Sequence, residues 1–323
     1  MKRFFPFLDW LPGYKKDNLK YDIPAGITVG VMLIPQGMAY ALIAGVPPIF
    51  GLYASMLPLV IYALLGTSRQ LSVGPTAMVG LLIIGGLEPI SEAGSLHFIE
   101  LAILLGLLVG LIQLFAGILR LGFMINFLSH PVTVGFTSAA AVIIGVSQIK
   151  HLLRIEVIRS EHIHEIIPNI LENIAQSHIP TLLVGVGSFL IMILVKKIRR
   201  TLPAPLIAVV YGILVVGVFG LHDLGIKIVG EVPEGLPPIG IPDVNMDVMA
   251  ALLPTALAIA LMGFMESVAI AKTIELKHHD HSVDANQEMM AIGMSNIGGA
   301  FTSGFPVAGS FARSAVNDQM GAK

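Results

Sequence analysis

The sequence contains no cysteine, which excludes disulfides, thiol catalysis and Cys-ligated metals. It is also poor in charge. Only 12% of its 323 residues are Asp, Glu, Lys or Arg, against roughly 25% in a soluble domain. With 55% hydrophobic residues and a mean hydropathy of +0.83, it lacks the polar residues to cover a soluble globule. A cytosolic enzyme, a nucleic-acid binder and a disordered chain are therefore excluded, and a net charge of −2 leaves no basic field for polyanions. The composition fits an all-α polytopic membrane protein, whose first partner is the lipid bilayer. What is abundant is Gly (34) and Pro (20), which in a membrane point to close helix packing and interrupted helices. Met1-Lys2-Arg3 does not open a cleavable signal, and the apolar stretch from Pro24 is too long for a signal's hydrophobic region.

A spanning helix needs about 20 mostly apolar residues, because the hydrocarbon is roughly 30 Å thick and each residue rises about 1.5 Å. The sequence predicts ten segments. They lie at about Pro24–Ala44, Pro48–Gly66, Thr76–Leu87, Phe98–Leu121, Val132–Ile149, Thr181–Val195, Pro203–Gly220, Val248–Lys272, Asn286–Ala300 and from Ser310 onward. The third and tenth are too short to cross as helices alone; an extended stretch before each would complete the crossing. With residues 1–23 placed in the cytoplasm, thirteen lysines and arginines fall inside and four (Lys150, Arg154, Arg159, Lys227) outside. Arg313 and Lys323, in the last segment, complete the 19. The positive-inside rule then predicts a multi-pass protein of the plasma membrane (the bacterial inner membrane) with a cytoplasmic N-terminus. The longest connections, 151–178 and 221–247, are polar and predicted as extracellular loops.

Two windows repeat. Gln36-Gly37-Met38-Ala39-Tyr40-Ala41 and Glu266-Ser267-Val268-Ala269-Ile270-Ala271 match as polar, small, apolar, Ala, bulky and Ala at an offset of 230. Val73-Gly74-Pro75-Thr76-Ala77 and Val307-Ala308-Gly309-Ser310-Phe311 match at an offset of 234. The first copy starts inside and the eighth segment starts outside, so the repeat is inverted, as in many secondary transporters. Residues 24–220 then form the first repeat and 248–323 part of the second. In each copy the chain breaks and a short helix begins. Pro75 is predicted in the first helical turn, where its missing N–H costs nothing, and Ser310 as an N-cap. Inverted copies aim the two N-termini at one another. Each carries about +0.5 charge and several free N–H donors, so together they form an anion site made from backbone. The plainer alternative is a pair of ordinary kinks.

Gln36, Glu266 and Arg313 lie inside apolar segments, where an ionisable side chain costs at least about 2.5–3.5 kcal/mol. Arg313 adds a positive charge beside a helix end. Glu266 is expected to couple anion binding to H⁺ or Na⁺; the alternative is a buried Glu266–Arg313 pair that only pins two helices. Two helix ends plus Arg313, less Glu266, leave about +1, which balances a monovalent anion. A dianion is better balanced once Glu266 is protonated or paired with Na⁺. No cofactor and no resident metal is expected. His278-His279-Asp280-His281 resembles a metal tract but reads as a solvated loop. Gly106, Gly110 and Gly117 have the spacing of helix packing. No P-loop, catalytic triad or Gly-rich nucleotide fingerprint is present, so ATP-driven transport and enzyme chemistry have no support.

At these residues the sequence resembles the SulP family of anion transporters. The resemblance is carried by Leu33-Ile34-Pro35-Gln36-Gly37-Met38-Ala39-Tyr40, and by Val46-Pro47-Pro48-Ile49-Phe50-Gly51-Leu52-Tyr53-Ala54-Ser55 through Gly66-Thr67-Ser68-Arg69 to Ser72-Val73-Gly74-Pro75. Asn286-Gln287-Glu288 through Asn296-Ile297, and Gly309-Ser310-Phe311-Ala312-Arg313-Ser314-Ala315-Val316-Asn317, extend it to the end. The resemblance implies a fourteen-span, seven-plus-seven inverted repeat split into core and gate, an elevator-like movement and a homodimer. It also implies four further spans and a cytoplasmic STAS domain beyond Lys323, so that this sequence is expected to be about ten spans of a longer transporter. By the same resemblance, the anion site takes Gln36 and Tyr40 from span one, and Pro75, Thr76 and Ala77 from span three. Span eight supplies Glu266, and span ten supplies Ser310, Phe311, Ala312 and Arg313. Gln36 would donate to the anion, Tyr40 would wall the pocket and Arg313 would supply charge.

The expected function is secondary transport of a small inorganic anion, sulfate first, with Na⁺-coupled bicarbonate or H⁺-coupled dicarboxylate transport as alternatives. A passive anion channel would need no coupling carboxylate, so Glu266 argues against it. A nucleobase transporter would favour carboxylates over cations at the helix ends, so Arg313 argues against that.

Overall fold

A computed structural model describes residues 5–123, 130–155, 157, 163–198, 202, 204–228, 230, 235–242, 245–278 and 282–323. The chain is helical, with a single two-stranded sheet among the described residues. After a short helix α1 (Phe7–Trp10) come α2 (Leu19–Ile43) and α3 (Pro48–Leu65), then β1 (Val73–Gly74) and α4 (Ala77–Leu87). Next follow α5 (Leu96–Ile118), α6 (His130–Leu153), α7 (Ile163–Asn173), α8 (Ile179–Ile198) and α9 (Ala204–Val218). The last group is α10 (Met246–His278), α11 (Ala285–Phe301), β2 (Ala308–Gly309) and α12 (Phe311–Gln319). Among the described residues, five helices are long and apolar enough to cross a membrane: those ending α2, and α3, α5, α8 and α10.

The chain forms two compact units. One joins Met1–Phe127 to Val232–Lys323, so it combines segments from both predicted repeats; the other is Leu128–Glu231. The first is held by close backbone approach. A Cβ on Gly51 of α3 would lie 2.0 Å from the carbonyl oxygen of Gly37 on α2, so only glycine permits this crossing. On α5, a Cβ on Gly110 would lie 2.7 Å from the backbone of Gly293 and Ile297, and one on Gly117 2.9 Å from the Met290 nitrogen. The glycine spacing on α5 is therefore a packing seam against α11. In the absence of a hydrophobic drive between helices in lipid, such contact supplies the cohesion.

Buried polar groups complete the frame. Glu288, fully buried at the start of α11, accepts from the Tyr62 hydroxyl (2.7 Å), from the Thr67 backbone and hydroxyl (2.6 Å each) and from the Ser68 backbone (3.3 Å). It thereby ties the end of α3 to α11. Asn296 accepts from the Val307 nitrogen (2.7 Å) and donates to Gln113 (2.9 Å), which in turn donates to the Ala260 carbonyl (3.0 Å).

Two expectations change. The connection 151–178 contains a helix, α7, where a loop was predicted. Helix α10 runs to His278, beyond the Lys272 predicted from hydropathy alone, because Lys277 and His278 are held by Asp318 of α12. Of the histidine tract, His279, Asp280 and His281 lie outside the described residues.

Candidate anion-binding site

The site is built around the two chain breaks. β1 and β2 pair antiparallel, Val73 opposite Gly309 and Gly74 opposite Ala308. Pro75 ends β1, because it has no N–H to continue the ladder and forces the preceding residue to stay extended. Helix α4 then starts at Ala77 with Thr76 as N-cap, its hydroxyl accepting from the Val79 nitrogen at 3.3 Å. Helix α12 starts at Phe311 with Ser310 in the N-cap position, extended in backbone but without a side-chain cap bond. Pro75 thus precedes the N-cap rather than occupying the first helical turn: Thr76, whose hydroxyl can accept a backbone N–H, caps the helix in its place. Each helix begins within three residues of the end of its strand, so both N-termini lie at the pair.

Arg313 is fully buried one turn into α12. Its Nε donates to the Ser72 hydroxyl (3.2 Å) and its Nη1 to the Pro75 carbonyl (3.0 Å). Its Nη2 has no partner among the described residues. Gly74 makes room for it, since a Cβ there would lie 3.1 Å from Nη2. Two acceptors are also buried without a partner among the described residues, Gln36 Oε1 on α2 and Glu266 Oε2 on α10. An unpaired buried polar atom costs about 1–3 kcal/mol, so three of them on the elements around one strand pair need a reason.

Arg313 lies within electrostatic reach of both Glu266 and Tyr40. Its bonded nitrogens go to Ser72 and Pro75, so the pinning pair expected as an alternative is not formed. Gln36 and Tyr40 are one turn apart on α2, and Leu33 of the same face reaches Gly74. Glu266 is fixed by its neighbour: the Ser267 hydroxyl accepts from the Gly309 nitrogen (2.7 Å), locking α10 to β2. A Cβ on Gly309 would meet Ser267 at 3.0 Å, so glycine is needed at that contact. Thr76, Pro75 and Ser310 are buried at the breaks, Ala77 is half-buried, and Phe311 and Ala312 are exposed at the start of α12. The backbone N–H groups of Phe311, Ala312 and Arg313 have no hydrogen-bond partner among the described residues, as expected of a first helical turn.

Sequence reasoning missed Ser72, Ser267, Ser314 and Glu288 as organisers. All four lie inside stretches quoted above, but a serine or a glutamate there carries no signal of what it holds.

A model of the sulfate permease family matches residues 19–323. The chain belongs to the sulfate permease family. It is 42% identical over 330 residues to sulfate transporter 4.1, chloroplastic, of Arabidopsis thaliana, covering 99% of this chain and 47% of that protein. Its structure is similar to the murine Solute Carrier 26 family member A9 anion transporter in the inward-facing state, with a TM-score of 0.88 and 28% identity, over 99% of this chain and 56% of that one. The fold is also that of the transmembrane domain of a cyanobacterium bicarbonate transporter, BicA (TM-score 0.81, 22% identity, 96% and 79% covered). The chain spans about half the length of the curated relatives it matches. Members of this family named here are transporters, and the fold is a helical membrane domain.

Proposed function

We propose that the full-length protein is a secondary active transporter of a small inorganic anion, sulfate first. One observation carries this reading: Arg313 is wholly buried at two helix N-termini, with Nη2 unpartnered among the described residues. A buried cation with a free donor, beside two positive helix ends, is complementary to an anion. Thr76, Ala77, Ser310, Phe311 and Ala312 contribute through the helix starts; Gln36 and Tyr40 flank the anion from α2. The Arabidopsis relative, a sulfate transporter by name, supports sulfate. Bicarbonate with Na⁺ is the second reading, favoured by the single-charge balance of the site when Glu266 is ionised; a dicarboxylate with H⁺ would match the site once Glu266 is protonated.

Glu266 is the coupling group in this proposal, since its unpartnered Oε2 suits a proton or Na⁺. The antiparallel pairing of β1 with β2, and helix starts 234 residues apart at Ala77 and Phe311, support an inverted repeat of seven plus seven spans. The division into two compact units supports a core moving against a gate in an elevator-like cycle. A homodimer in the plasma membrane, N-terminus inside, completes the reading. The test is uptake of labelled sulfate, bicarbonate and fumarate by the reconstituted full-length protein, with and without Na⁺ or a pH gradient. R313A is expected to reduce uptake of whichever anion is carried by tenfold or more; wild-type uptake would sink the site.

A further inference from the structure

Ser72 precedes β1 and is 3% exposed. It uses all three of its polar groups on the N-cap and first turn of α12. Its carbonyl accepts from the Ser310 nitrogen (2.9 Å), its nitrogen donates to the Ser314 hydroxyl (2.9 Å), and its own hydroxyl accepts from Arg313 Nε (3.2 Å). No other residue described at the site holds the first turn of α12 at three points.

We propose that Ser72 is a positioning residue for the anion site, acting through Arg313. The inference rests on Arg313 being the anion-binding cation. The guanidinium has two competing destinations. One is the observed pose, with Nε on Ser72, Nη1 on the Pro75 carbonyl and Nη2 unpaired beside Gly74. The other is Glu266, whose Oε2 also lacks a partner and which lies within electrostatic reach. Attraction between opposite charges is strong where water is excluded, so an untethered guanidinium would swing to the carboxylate and withdraw Nη2 from the site. The Ser72 hydroxyl is the side-chain tether that opposes this. The Pro75 tether is a backbone carbonyl and alone leaves the Nε edge free to rotate. Ser72 therefore keeps a cation and a carboxylate apart in one buried site, which leaves each free for its own ion.

S72A removes only this tether, because the bonds to Ser310 and Ser314 come from its backbone. The full-length protein is titrated calorimetrically with sulfate, bicarbonate and fumarate, as wild type and as S72A, R313A, E266Q, S72A/R313A and S72A/E266Q, with thermal unfolding followed in parallel. S72A is expected to weaken binding about tenfold, the scale of one hydrogen bond to a charged group, with little change in unfolding temperature. The loss should vanish in the R313A background and shrink in the E266Q background, where the rival partner is gone. Independent losses from S72A and R313A, or a stability loss with unchanged affinity, would overturn the positioning role while leaving the anion site standing. Wild-type affinity in R313A, or no binding of any of the three anions, would instead overturn the site reading itself.

Discussion

Arg313 is fully buried and interacts electrostatically with Glu266, yet it spends its bonded nitrogens on Ser72 and Pro75. A carboxylate that only pinned two helices would be bonded, and Glu266 Oε2 is not. The isosteric amide keeps the shape but cannot take up a proton or balance Na⁺. E266Q is thus expected to abolish the stimulation of uptake by an inward proton or Na⁺ gradient while anion exchange continues; gradient dependence equal to wild type would refute coupling through this group. The three ionisable or amide residues of the site, Gln36, Glu266 and Arg313, were legible in the sequence because a polar residue inside an apolar run is costly and needs a reason. Ser72 was not, because a hydroxyl is cheap anywhere and its three bonds join residues some 240 positions apart.

At the scale of elements, the two half-helices were legible from their breakers, since Gly74-Pro75 and Gly309 interrupt otherwise apolar runs. The β1–β2 pair was not, because a two-residue strand is too short to show alternation. Helix α7 was missed for another reason: a polar connection with scattered apolar residues has the periodicity of an amphipathic helix but too little hydropathy to stand out as a span. The glycines of α5 offer a graded test, since Gly110 packs on α11 while Gly106 faces the Gly304–Pro306 connection that follows it. A Cβ on Gly106 would lie 3.4 Å from its nearest neighbour, an ordinary contact, whereas one on Gly110 would lie 2.7 Å from backbone that cannot rotate away. G106A is expected to be near neutral. G110A should destabilise by about 1–3 kcal/mol, the cost of overpacking a close contact, seen as a lower unfolding temperature of the purified full-length protein in detergent. Equal effects of the two substitutions would mean that the seam is not the tight contact the structure shows.

For the whole molecule, the first compact unit draws on both ends of the sequence, so its order depends on pairing segments that the second unit separates. Orientation in the membrane rests on charge: Lys196 and Lys197 close α8, and Lys277 closes α10 beside Asp318, while Lys227 falls in the opposite set of connections. The positive-inside rule predicts that each of those basic helix ends faces the cytoplasm, because a cluster of lysines resists translocation. The absence of cysteine from these residues makes this directly measurable, since a single introduced thiol has no background here. With any cysteine elsewhere in the full-length protein replaced, K227C and E92C are expected to react with a membrane-impermeant maleimide on intact cells. K196C and K277C should react only after permeabilisation. The reverse pattern would invert the topology. It would also place the C-terminal ends of α10 and α12, joined through Asp318, on the outer face, and the direction of transport would have to be reassigned with them.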